Sequence, residues 1–332
     1  MISYFTGTKT LEDREIGQAD KTAVVSQLKE EASQLTSYND MADFVKKLTG
    51  VKLDPESLKQ VMTVVCDDHG NTPMHYAINN ADSLVFLNDV LGEDQFIELL
   101  KVPDNHDETP MQAAAWNAKS LAFLKDVLGE DQFIELLKVP GYCGNTPIHN
   151  AAWNVDALVF LKNTLGEGQF IEWLKVKNND GTTPVHDAAR NALSLAFLKD
   201  VLGEDGLIEQ LKIKDNYGNT PMHNAAWNAA SLALLKDVLG EDQFIEQLKV
   251  KDNYGNTPMH NAAWNAASLA LLKDVLGEDQ FIEQLNVKDN YGETPMHVAA
   301  RHADSLAFLN NELGLRLVEN DMGLCLVEND MG

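Results

Sequence analysis

The chain has 332 residues, 44% hydrophobic and 23% charged, a balance that belongs to a globular protein rather than a disordered one. Its 51 acidic residues against 26 Lys and Arg leave a formal net charge of −25. That excludes nucleic acid and anionic membrane surfaces as partners, because binding either rests on basic side chains, and it favours a partner with a basic face.

The first twenty residues, MISYFTGTKTLEDREIGQAD, have neither the basic nor the apolar region of a secretory signal, and the first dozen are expected to fray. Residues 20–37 predict a helix with Val24, Val25, Leu28 and Leu35 on one side, and residues 41–66 resemble the last two helices of the repeat that follows. From there Thr-Pro recurs at Thr72, Thr109, Thr146, Thr183, Thr220, Thr257 and Thr294, each time after 37 residues. The repeats 220–256 and 257–293 differ only at Lys249/Asn286 and Asn256/Glu293.

Each part of a repeat has a physical meaning. Tyr254-Gly255-Asn256 is a turn signal. Thr257 suits an N-cap with Pro258 at the first helical position, and Ala262 and Ala263 let neighbouring repeats approach. Ser268 opens a second helix with Leu269, Leu272, Val275 and Leu276 at helical spacing, and Gly277 is placed to end it at C′. Glu278-Asp279 then start a third, with Phe281, Ile282 and Leu285 on its apolar side. No such helix can bury its face alone, whereas stacked neighbours share one core. No alternating strand run is evident, so an all-α class and an elongated stack are expected. After Gly314 the pattern stops and a nonapeptide is written twice, LRLVENDMG and LCLVENDMG. It is open to reading as a cap, an interaction tail or a secretion-recognition tail. The expected divisions are an N-terminal cap 1–65, the repeats 66–314 and a tail 315–332.

The series Asp-x-x-Gly-x-Thr-Pro-x-His-x-Ala-Ala, intact at Asp215–Ala226, Asp252–Ala263 and Asp289–Ala300, resembles the ankyrin repeat. The resemblance implies a solenoid of seven copies over roughly 66–314. The usual repeat has about 33 residues; here one extra residue falls between the helices and three in LGEDQFIEQL. Repeats of this length are similar to those of ankyrin proteins from intracellular bacteria. Individual copies depart at Asp107 for the turn glycine, Gln112 for the histidine and Gly141 for the aspartate.

No catalytic residue, metal site or cofactor is expected. His75, His149, His186, His223, His260 and His297 would stand about 8–10 Å apart in neighbouring repeats, too far to share an ion bound at about 2 Å. The family resemblance gives them a structural role near the turns. The six Gly-Glu pairs, Gly92-Glu93 to Gly277-Glu278, lack the alternating oxygen ligands of a calcium loop. No phosphate loop, nucleophile elbow or HExxH is present. Cys66, Cys143 and Cys325 are odd in number and far apart, as expected of reduced thiols, and Cys143 has no fixed base beside it.

The strongest functional signal lies seven residues after each Thr: Asn79, Trp116, Trp153, Arg190, Trp227, Trp264 and Arg301. The next position is Asn80, Asn117, Asn154, Asn191, Asn228, Asn265 and His302. In the ankyrin family these places face the concave groove, and Trp and Arg are enriched in binding hot spots. Turn tips add Tyr142, Tyr217, Tyr254 and Tyr291. The rival reading is a ladder in which Trp153, Arg190 and Trp227 stack across repeats. The expected function is a monomeric, non-enzymatic, cytoplasmic protein-binding module. The alternatives are a bacterial effector translocated into a host cell to bind a host protein, or an enzyme with a cryptic site in the termini.

Overall fold

The structure is a computed structural model that describes residues 18–35, 37–51, 53–313, 315–320 and 323–328. The first dozen residues, expected to fray, lie outside the described ones. The chain divides into two compact units, Met1–Tyr142 and Cys143–Gly332.

In the first unit, helix Gln18–Ala32 packs on Pro55–Met62, and Tyr38–Thr49 packs on Pro73–Ala77. Ser37 caps Tyr38–Thr49 and Asp54 caps Pro55–Met62, each through a side-chain oxygen that accepts a backbone N–H. Val25, Leu28 and Leu35 are buried. The rest of the unit follows a three-part pattern: Pro73–Ala77, Ala81–Leu91 and Glu93–Leu100, then Pro110–Ala114, Ala118–Leu128 and Glu130–Leu136.

In the second unit the pattern continues. Inner helices Pro184–Ala188, Pro221–Ala225, Pro258–Ala262 and Pro295–Ala299 lie side by side, and the outer helices Ala192–Leu211, Ala229–Leu248 and Ala266–Leu285 do likewise. The second unit is therefore an all-helical stack of local contacts, apart from its last residues. The core runs through both layers: Met222, Ala225, Leu232, Leu235, Phe244 and Leu248 are all inaccessible. The third helical segment supplies the bulkiest core side chains, Phe244 and Phe281.

Every Thr-Pro opens its helix as expected, with Thr at the N-cap and Pro at the first position. The glycine between second and third helices does something other than a C′ turn. Gly277 takes φ 69 and ψ 170, and Gly166 takes φ 74 and ψ 157. Gly166 N–H donates to Lys162 O at 3.0 Å while its own carbonyl accepts from Phe170 N–H at 3.0 Å. One residue thus ends one helix and starts the next, in a backbone region that only glycine enters cheaply.

The C-terminus departs from the helical pattern. Strand β1, Leu315–Asn320, pairs antiparallel with β2, Gly323–Glu328. Leu317 faces Leu326, Arg316 faces Val327 and Val318 faces Cys325. The two nonapeptide copies therefore pair about their equivalent third residues, so the duplication makes the ribbon self-complementary. β1 lies against helix Ala303–Leu313 and β2 against Pro295–Ala299.

Candidate functional site

The inner helices have two chemically distinct ends. At the N-terminal end, Thr220 N–H donates to His223 Nδ1 at 3.1 Å, and Nε2 reaches the carbonyl of Asn256 at 3.3 Å in the following turn. Because Nδ1 accepts from a backbone N–H, the ring proton sits on Nε2 and the imidazole is neutral. The same pair of bonds is made by His75, His149, His186 and His260. Burial pushes the imidazoles of His149, His186 and His223 down to about 4, and those of His75 and His260 down as well. Gln112 copies the arrangement: its Oε1 accepts from Thr109 and its Nε2 donates to Val139 O at 3.0 Å. Both imidazole nitrogens in these caps are committed to the fold.

The C-terminal end carries the ladder. Trp227 follows directly on the Ala226 C-cap, and its ring lies 5.2 Å from that of Trp264 at 39°. Trp264 in turn stacks on His302 at 4.0 Å and 40°. The Arg190 guanidinium stands over Trp153, 5.7 Å from the ring centre. Trp264 remains 48% exposed, whereas Trp153 and Trp227 are half-buried. In the first unit Trp116 is 47% exposed. Arg301 stands apart from the series and forms an ion pair with Glu293. Its place in the stack is taken by the neighbouring His302, where other repeats have Asn.

The asparagines beside the ladder serve the backbone. Asn228 caps the next helix by accepting from Ala230 and Ser231 N–H, and its Nδ2 donates to Arg190 O at 3.1 Å. Asn191 and Asn265 do the same toward Trp153 O and Trp227 O, and Asn117 toward Asn79 O. Asn154 caps through Ala157 N–H. These residues set the spacing of the ladder rather than offering free polar groups.

A second row lies three residues before the ladder. Asn224 donates to His186 O at 2.8 Å and Asn261 to His223 O at 2.9 Å. Asp187 occupies this row, and an ionised carboxylate has no proton to donate there. Burial pushes its carboxyl up to about 7, with Arg190 pulling the other way.

At the turns, Asp215 Oδ1 accepts from Tyr217 and Asn219 N–H. Successive tips are tied by Asn216 N–H to Asp180 O and Asn253 N–H to Tyr217 O, both 2.8 Å. Tyr217 and Tyr254 are each 44% exposed and Tyr291 78%. Tyr217 also donates to Asp180 at 3.1 Å. The side chain of Tyr142 lies outside the described residues. Cys66 is buried, which pushes its thiol up to about 12 and away from nucleophilic use at neutral pH. A cleft beside the third helical segments is lined by Asp242, Glu246, Lys249 and Glu283, with Lys249 paired to Glu246 at 2.9 Å. Among the described residues no helix is long and apolar enough to cross a membrane.

No family model matches this chain, and no curated protein matches it.

Proposed function

We propose that the chain is an ankyrin-type solenoid of seven 37-residue repeats that binds another protein without catalysis, in a cytoplasm. The observation that carries this is two stacked sets at equivalent places in successive repeats, Arg190 over Trp153 and Trp227 with Trp264 and His302, which keep aromatic and cationic groups in reach of solvent. An exposed strip of this kind is costly on a soluble surface unless something covers it. Tyr217, Tyr254 and Tyr291 offer further contact at the turn tips, and the net charge of −25 favours a partner with a basic face. Trp116 occupies the same position within its own repeat in the first unit, and Asn117, Asn154, Asn191, Asn228 and Asn265 cap the helices that follow these positions.

The test replaces Trp153 and Trp227 together with Ala and measures affinity capture and melting temperature on the same protein. Capture of a specific protein should weaken by about 2–4 kcal/mol, while the Asp242→Asn control on an exposed helix captures normally. The melting temperature should fall by only a few degrees, roughly the loss of about 1 kcal/mol of ring stacking. A large thermal loss with capture intact would mean that the ladder exists to hold the repeats together.

A further inference from the structure

Two exposed histidines of the first unit, His69 and His106, occupy the tips of successive turns. Nδ1 of His69 lies 3.3 Å from Nε2 of His106, with ring centres 5.5 Å apart and planes tilted by 40°. Helix packing does not call for them, since later tips carry Asp180, Tyr217, Tyr254 and Tyr291 at the same place in the turn. The backbones beneath them are braced. Asn105 N–H donates to His69 O at 2.8 Å and Asn105 Nδ2 to Asp68 O at 3.0 Å. His69 N–H donates to Asp67 and His106 N–H to Asp104, at 3.0 and 2.8 Å. Gly70 completes the brace: a Cβ there would stand 2.6 Å from Asn105 Oδ1, so no side chain separates the two turns.

Two imidazole nitrogens bound to one tetrahedral zinc at about 2.0–2.1 Å are held about 3.3–3.4 Å apart by the bond angle alone. The two turns already provide that separation. We propose that His69 and His106 form a two-histidine site for a divalent transition cation of the zinc type. In the metal-free pair one facing nitrogen carries the proton and the other accepts it. Binding requires a lone pair on both, so that proton moves to the far nitrogen of its own ring, Nε2 of His69 or Nδ1 of His106. Neutral rings therefore release no net proton. Water fills the remaining coordination positions, and the chain's negative charge raises the local cation concentration. Nothing in this site depends on the Trp and Arg ladder.

The experiment titrates the full chain with zinc chloride in a non-coordinating buffer at neutral pH, following heat. One equivalent should bind the native chain. His69→Asn and His106→Asn should each weaken it about ten-fold or more, and the double variant should be no weaker than about two-fold below either single, because one lost ligand already ends chelation. Circular dichroism on each variant should overlay the native trace, since both side chains are exposed. The inference is overturned if the native chain takes up no zinc, or if variants with native spectra bind it unchanged.

Discussion

The two ends of the inner helices share five residues of scaffold and follow opposite rules. At the N-terminal end His223 is wholly buried and both ring nitrogens are hydrogen-bonded; at the C-terminal end Trp264 is half in water and its ring stacks on Trp227 and His302. The first end tolerates one replacement within this chain, Gln112, which remakes the same bonds. The second end accepts Asn79, Trp116, Arg190 and Trp264 in turn. Directional bonds restrict a position to groups that can make them, whereas stacking restricts it only to flat or extended groups. The buried end thus belongs to folding, and variation between repeats is concentrated at the open end.

Acid should break the buried end first. The folded imidazoles of His149, His186 and His223 hold at about 4 against an unfolded value near 6.5. Between those values the unfolded chain binds protons that the folded chain refuses. Stability is therefore complete above about pH 6.5 and drains as pH falls toward 4, by about 3 kcal/mol per histidine. Neutralising carboxylates relieves self-repulsion over part of the same range, so the informative quantity is a difference. A variant with Gln at all three positions should show a shallower acid limb than the native chain by about 4 kcal/mol per pH unit in urea melts. Parallel acid limbs would mean that these rings do not govern it.

Single substitutions sharpen the contrast. His223→Ala strands the buried Thr220 N–H and the Asn256 carbonyl and should cost about 3 kcal/mol, whereas His223→Gln should cost less than about 1 kcal/mol. Denaturant midpoints distinguish the two. At the bend between second and third helices, Gly240→Ala should cost about 2 kcal/mol, all of it backbone strain. The glycine sits at φ 69 and a Cβ there would touch nothing. One effect runs the other way. Asp187→Asn restores the donor that Asn224 and Asn261 possess and should stabilise by about 1 kcal/mol near pH 4, where the carboxyl is protonated in both states. Because the folded Asp187 carboxyl is raised to about 7, the gain should grow by up to about 4 kcal/mol as pH rises from about 4 to 7 and level off above. Thermal melts across that range would show it.

Much of this was legible in the sequence, because the features that fix the helices act locally. Thr before Pro caps a helix whatever surrounds it, and the buried leucines of the second helix keep the 3.6-residue spacing. The N-terminal helices and their buried Val25, Leu28 and Leu35 follow the same logic. What stayed hidden depends on neighbours brought together by stacking. The role of Asn228 becomes visible only once Arg190 O is placed beside it, and the stacking of His302 on Trp264, with Arg301 paired to Glu293, appears only in the folded stack. The pairing of His69 with His106 likewise needs two turns braced side by side. The ribbon is hidden in the sequence because each nonapeptide is short; its partner is its own copy, and the pairing is invisible from either copy alone.

Bonds between neighbouring repeats in the C-terminal unit recur at fixed distances along the chain, among them 33 residues from His223 to Asn256, 37 from Asn253 to Asn216 and 38 from Asn228 to Arg190. The acceptors in these three are main-chain carbonyls, so the change from Asn256 to Glu293 leaves the bond from His260 in place. A recombination event that removes or adds 37 codons across residues 220–293 would hand each surviving donor the acceptor it already had. Chain length then becomes a quantity that inheritance can alter in whole steps, without any new interface having to be invented.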